Sequence, residues 1–597
     1  MSADFDFVIV GGGTAGLSLA ARLTEDPNVQ VLVIEAGEDL TADPRVDMPA
    51  LSQSLVNTAS NWDLKTVPQL YLGNRQLHVY GGRVLGGSSA INHFIFTPPV
   101  QTYVNAWANL GNPGWDWSSF SPSMENAYHI KDTQWGSLGA GPLHVSFASE
   151  ETKWPAVWRD TLANRGFPVS MNPFSGQIYG GFRDPESVHP TTKLRSYAAS
   201  AYLEPARSRP NLTIWTNALV DKIIFGQSSD GELSVTAVQF TKGGTTSTVK
   251  AGMEVILCAG TIQTPKILEL SGVGNAEMLH SLSVDVFIDN PYVGENLQNH
   301  VYLSLSNEVF KEEGFETLDG LLQQDPAAIA AAQEALAKGK GPLTGANTSG
   351  SAQMPLPCFS SDEGKRELDQ LFEKFRANAV TGKATTTFIN AHESFVYSVL
   401  SSPTEASAVY STFPGFMAFD DNGDQAPHPS GDDRYLTFAI SLAHPLSRGS
   451  THITSPSASS PGLEIDPRYL SHPMDVEVLA RHIQELEMIK KTKPLAERLI
   501  PDGKRAPGGV DLSDLEQARA YVRRACNGAY HFTGTCSQMP REIGGVVDER
   551  LRVYGCKNLR VCDLSIVPII PRCNTQALAY GIAEHGAKII KSDLVGN

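Results

Sequence analysis

The chain has 597 residues, far more than the ~100–200 of a typical domain, so two or more hydrophobic cores are expected. Hydrophobic residues at 41% and charged residues at 19% describe a globular chain and exclude wholesale disorder. A formal net charge of −17, with no Lys/Arg-dense stretch to oppose it locally, excludes a nucleic-acid partner, which needs basic surface to neutralise phosphates.

In chain order, Asp6 to Val10 reads as a buried strand, Gly11-Gly12-Gly13-Thr14-Ala15-Gly16 as a turn, and Leu17 to Leu23 as a helix. Val31 to Ile34 is a second apolar strand, ending at Glu35. Strand, glycine turn, helix and strand within about 30 residues form a βαβ unit. A lone GxGxxG is weak evidence, but here it follows a strand, opens a helix and precedes an acid by about 20 residues. Gly11 permits the tight turn, Gly13 lets backbone N–H groups approach a diphosphate, and Gly16 lets helix and strand pack closely. The helix N-terminus adds partial positive charge for the diphosphate, and Glu35 can accept from both ribose hydroxyls of an adenosine. The motif by itself does not separate FAD from NAD.

Further along, Leu212 to Trp215 and Lys222 to Phe225 are β-like, and Glu254 to Cys258 is another strand. Thr264 to Leu270 reads as a helix opened by Pro265, and Pro326 to Lys338 as an Ala-rich helix. Asp420 to Asp433 reads as a surface loop and Ser455 to Gly462 as a polar hairpin connection. A strand at Leu559 to Cys562 precedes a final helix from Asn574 to Ile590.

No run reaches the ~18 apolar residues of a membrane span, so no membrane partner is expected. The first strand is too short for a signal peptide, and the seven cysteines are odd in number and irregularly spaced, as in a reducing compartment. The expectation is an intracellular protein. A secreted mature form stays open, and the sequons at Asn211 and Asn347 have meaning only there. His-x-x-x-His and Cys-x-x-Cys spacings, a Walker loop and a nucleophile elbow are all missing, so no metal is expected.

Gly81 to Asn92 (GGRVLGGSSAIN) closely resembles the first signature of the glucose–methanol–choline oxidoreductase family, and Gly260 to Gly274 resembles the second. Val293 to His300, Pro445 to Gly449, His531 to Thr535 and Asn558 to Asp563 are similar to further family segments, in family order across nearly the whole chain. The resemblance implies an α/β (overall α+β) fold, with a Rossmann-like FAD-binding domain interleaved with a sheet-plus-helices substrate domain. By that analogy residues 1–100, 195–305 and 526–597 bind FAD, and residues 101–194 and 306–525 form the substrate domain.

The cofactor set expected from motif and resemblance is Gly11, Gly13, Thr14, Ala15, Gly16, Glu35, Ala36, Arg83, Gly87, Ser88, Asn92, His93, Phe94, Ile95, Val220, Asp563, Thr575 and Gln576. In the family, Asn92 to Ile95 would lie beside the flavin ring, Val220 at the adenine, and Asp563 near the ribityl and diphosphate. Asn574 to Gln576 would open a helix aimed at the pyrimidine edge, where its N-terminus stabilises charge left by hydride transfer. Without the resemblance those three would read as an ordinary cap. Some relatives attach FAD through a His just before the signature's Asn. Ile91 stands there, so non-covalent FAD is expected, with His93 a weaker attachment point.

The resemblance also implies an alcohol substrate, losing a proton to a base and a hydride to flavin N5, with electrons passed to O2 or another acceptor. His531 matches the family's catalytic His, and Asn574 the partner position, where an amide can orient but not deprotonate. A formate-oxidising relative has Arg there, so Asn574 argues for a neutral alcohol, although nearby Arg572 leaves an anionic one open. Asn299 replaces a family acid, which puts a local polar contact in doubt. The alternative is a lyase or cyclase of the same fold with non-redox FAD. Oligomeric state is not legible.

Overall fold

The computed structural model describes residues 5–148, 151–228, 231–376, 382–420, 422–458 and 462–596. Its first sheet is built from apolar runs that become buried strands. β1 (Phe5–Val10) leads through the glycine turn into α1 (Thr14–Leu23), and β2 (Val31–Ile34) follows. β3 (Leu212–Trp215), β4 (Ala251–Leu257), α2 (Gly260–Leu270), β5 (Leu559–Val561) and α3 (Thr575–Gly596) complete the layer. The strand order is β3-β2-β1-β4-β5, all parallel.

Near-continuous Val/Ile/Leu runs are what a parallel sheet covered on both faces requires. Val10 pairs with both Ile34 and Leu257, and Leu257 with Val561, so the turns that follow β1, β2, β4 and β5 emerge along one edge. In open parallel sheets that edge, beside the strand where the order reverses, is where ligands bind.

A second, antiparallel sheet joins Val301–Val309, Arg434–Leu442, Ala408–Phe413, Ser351–Met354 and Gly180–Phe182. The helix Pro473–Lys490 contributes Val476, Leu479, Ile483 and Leu486 to the core beneath it. Trp107, Trp115, Phe120 and Tyr128 belong instead to the core of the parallel sheet. The second sheet matters to the site through one short strand. Asn527–Gly528 pairs with Val301 and Tyr302, and the chain then runs directly into His531.

One helix starts earlier than its sequence suggests. α2 opens at Gly260, with Pro265 inside it. Proline removes the hydrogen bond to the carbonyl four residues back. That carbonyl, on Thr261, accepts instead from Thr535 Oγ1 at 2.6 Å. The helix therefore continues because a distant loop satisfies the orphaned group. The expected hairpin connection at 455–462 includes residues 459–461, and the loop at 420–433 includes residue 421; both lie outside the described residues. No described helix is long and apolar enough to cross a membrane.

Candidate active site

A cavity of about 690 Å³ connects the edge of the parallel sheet to the second sheet, within the usual range for small-molecule sites. Gly11, Gly13, Thr14, Ala15, Glu35, Ala36, Gly87, Ser88, Asn92, His93, Phe94, Ile95, Val220, Asp563, Thr575 and Gln576 all line it, as do His531 and Asn574. Two expected cofactor residues do not. Gly16 packs beneath the turn, where a Cβ would sit 2.0 Å from the Gly11 carbonyl oxygen. Arg83 turns its guanidinium over the Trp62 ring at 5.1 Å.

The glycine turn is held from below. Glu35 is buried and accepts from Gly12 N–H at 2.8 Å and from Gly37 N–H at 2.7 Å. Burial pushes its carboxyl up to about 7, against the pull of those N–H groups and Arg83. Gly11 has φ +104°, and a Cβ there would lie 2.5 Å from the Cys258 carbonyl oxygen. α1 carries no side-chain cap at Gly13, so its first-turn N–H groups face the cavity. A Cβ on Gly13 would meet only Gly87 Cα, at 3.8 Å. A bare helix N-terminus behind a side-chain-free cradle suits a diphosphate, and the residues fit a dinucleotide such as FAD.

Asp563 lines the same edge, but its carboxylate serves the fold. It accepts from Gly260 N–H at 2.8 Å, Thr264 Oγ1 at 2.6 Å and Ser565 N–H at 2.8 Å. Asn92 Nδ2 donates to Gln576 Oε1, and Gln576 Nε2 donates to Ser187 Oγ at 2.8 Å. The start of α3 and the segment around Asn92 therefore form one hydrogen-bonded wall. Ile91 also lines the cavity, and His93 pairs its Nε2 with the Gln53 amide.

His531 stands at the other end. Its loop is zipped along residues 298–300: Ala529 N–H donates to His300 O at 2.9 Å, and Thr533 N–H to Gln298 O at 2.9 Å. His531 N–H donates to Asn299 Oδ1 at 2.7 Å, and Asn299 Nδ2 reaches Tyr469 Oη at 2.5 Å. The Asn that replaces the family acid therefore anchors the histidine backbone without adding charge. The His531 and His300 Nδ1 atoms are 2.9 Å apart. Burial alone pulls His531 down to about 4, and no carboxylate opposes it. His300 is lowered further, first by burial and then by His531.

Around His531 the walls are aromatic. Tyr80 stacks between His78 at 5.2 Å and Tyr530 at 4.8 Å, and Tyr302 meets Phe419 edge-on at 5.4 Å. Phe413, Met417 and Leu322 add apolar surface. Lys266 is the one Lys or Arg among the described lining residues. Arg572, which had left an anionic substrate open, is buried outside the lining and ion-paired to Glu405 at 2.9 Å. His300 and these aromatics carry no local sequence signal. His300 sits in a family-like segment, but its role depends on a ring brought in from 231 residues away.

Two family models described as GMC oxidoreductase match the chain, over residues 5–302 and 445–583. A Monascus purpureus protein named "Dehydrogenase mpl7" is 34% identical over 622 residues, covering 99% of this chain and 96% of its own. The "GMC oxidoreductase family protein Mala s 12" of Malassezia sympodialis is 32% identical over 614 residues, covering 98% of this chain and 92% of its own. A solved FAD-dependent oxidoreductase from Chaetomium thermophilum superposes with a TM-score of 0.87 at 27% identity, covering 99% of this chain and 100% of its own.

Proposed function

Because the chain belongs to the GMC oxidoreductase family of FAD-dependent enzymes, we propose that it oxidises a neutral alcohol with an aromatic or extended apolar body to the aldehyde or ketone. The observation that carries this reading is that His531 and Asn574 line the same cavity as the glycine cradle. Bound FAD supplies a hydride acceptor at N5. Gly13, Thr14 and Ala15 would hold its diphosphate through backbone N–H groups, and Glu35 would receive the ribose hydroxyls. Ile91 offers no nucleophile at the family's attachment position, so FAD is held without a covalent bond.

His531 takes the hydroxyl proton. Being neutral at pH 7, it has a lone pair available, and its bond to His300 leaves Nε2 for the substrate. Asn574 cannot accept that proton. Its amide hydrogen-bonds the substrate oxygen and sets the angle of approach. The aromatic walls exclude water around the transferring hydrogen and bind a flat apolar body. A carboxylate substrate would find no arginine among the described lining residues, and Lys266 as the one lysine. The final electron acceptor would be O2 or another oxidant.

The test is a panel of neutral and anionic alcohols mixed anaerobically with the yellow protein, followed by admission of air. Flavin bleaching by neutral aromatic alcohols is expected, with loss of ~10²–10⁴-fold in rate for His531→Ala. Turnover of substrate with no change in flavin absorbance would transfer the reading to a non-redox lyase. Reoxidation by air reports whether O2 is the acceptor.

A further inference from the structure

Directly behind the wall formed by Asn92 and Phe94 stands a buried cation with no counterion. Arg195 is 3% exposed. Its Nη1 donates to Ser89 O at 3.1 Å, Asn92 O at 3.0 Å and Asn92 Oδ1 at 2.7 Å, and its Nε to Val46 O at 2.8 Å. Nη2 is buried without a partner, and Cζ lies 4.0 Å from the Phe94 ring centroid. Every acceptor is neutral, and among the described residues no carboxylate reaches ion-pair distance. Burial lowers its pKa to about 9, which still leaves it charged at pH 7.

Holding a guanidinium in this way is costly, because burial removes its hydration and no partner charge replaces it. A neutral donor could tie down the same carbonyls. The amides in front of it are also oriented by it. Asn92 Oδ1 accepts from Arg195 and from Phe94 N–H at 3.2 Å, so Asn92 Nδ2 must face Gln576 Oε1. That leaves Gln576 Nε2 for Ser187 Oγ. Arg195, together with the Phe94 N–H, thus sets which way two cavity-lining amides point, without touching the cavity.

We propose that Arg195 is a positioning residue for the flavin: it orients the Asn92–Gln576 pair, and its uncompensated charge favours the negative charge that bound FAD gains on reduction. The inference rests on the reading that the flavin ring lies beside Asn92 to Ile95. A unit charge held 2.7 Å from the side chain of a cavity-lining amide, even when screened at an effective dielectric of about 20, would act on charge gained by a ligand across that wall.

Equilibrium reduction of the holoprotein against a reference dye, under anaerobic conditions, tests it. Arg195→Gln should shift the equilibrium toward oxidised FAD by about tenfold, about 30 mV for a two-electron couple. Arg195→Lys, which keeps the charge but loses the planar fork, should stay within about threefold of wild type. Asp47→Asn removes a carboxylate whose field acts on Arg195, and should move the equilibrium the other way. Arg195→Gln carrying stoichiometric FAD with an unaltered equilibrium overturns the proposal. Should that variant retain no FAD, an unaltered equilibrium in Asp47→Asn overturns it instead. Wild-type protein that takes up no FAD would overturn the cofactor reading, and this inference with it.

Discussion

The Nδ1 atoms of His531 and His300 lie 2.9 Å apart. Two imidazole nitrogens at that distance share one proton, so one ring donates and the other accepts. His300 Nε2 is buried without a hydrogen-bond partner, although the carbonyls of Ala443 and Pro571 act in favour of a proton on the ring. The base role of His531 requires the tautomer in which His300 accepts from it, so that His531 Nε2 keeps its lone pair. His300→Phe should slow anaerobic flavin reduction by about 10–100-fold, the usual cost of losing a partner that orients a functional imidazole. FAD content should be unchanged. Stopped-flow absorbance measures both, and an unaffected rate removes His300 from the site.

The pH profile follows from the same pair. His531 is lowered to about 4 by burial, so the reductive rate should plateau above pH 6 and fall only as pH approaches 4. Asn299 is why no carboxylate raises it. Asn299→Asp places an anion against the His531 backbone and should move the inflection up by about one unit or more. A profile with its inflection at 6.5 in wild type would contradict the burial argument.

Acid stability has a defined sign. His444, His472 and His585 are lowered to about 4 and His482 to about 3, while His300 and His392 move in the same direction. With their folded pKa values below the unfolded 6.5, the unfolded chain binds more protons between pH 6.5 and 4, and stability is lost as pH falls through that window. Asp184 and Asp475, raised to about 6, Glu35 to about 7 and Glu186 to about 8 act in the opposite sense, favouring the fold at low pH. The histidines outnumber them. Tm should therefore rise from pH 4.5 to 6.5 and level off near 7, where Glu35 and Glu186 ionise at a cost. A flat thermal profile from pH 4.5 to 6.5 would show that the two sets cancel.

Gly13 and Gly16 should fail differently. A methyl on Gly16 would lie 2.0 Å from the Gly11 carbonyl oxygen. Gly16→Ala must therefore part helix from strand, at about 1–3 kcal/mol of stability. A methyl on Gly13 meets nothing closer than 3.8 Å. Gly13→Ala should fold with wild-type Tm in the absence of FAD but retain less flavin, because the methyl enters the cradle. Equal FAD content in wild type and Gly13→Ala would remove Gly13 from the diphosphate site.

The βαβ unit was legible because its signals are local. Apolar runs, glycine spacing and the acid at Glu35 lie within one stretch of chain, where steric rules act between near neighbours. α2 starts earlier than its local signals indicate because Thr535, far away in the chain, satisfies the carbonyl that Pro265 orphans. No rule about neighbouring residues contains that bond.

By itself the sequence determined the βαβ unit, the glycine turn and the family, and it singled out His531 and Asn574 as candidates for the chemistry. Only the tertiary structure decided that His300 faces His531, that Arg572 is turned to Glu405, and that Tyr80, Tyr302, Phe419 and Tyr530 wall one chamber. It also decided that Arg195 stands behind Asn92 with no ion pair among the described residues. Backbone periodicity is set within a few residues. Partnership between side chains, and the field each one feels, depends on which surfaces the folded cores bring together.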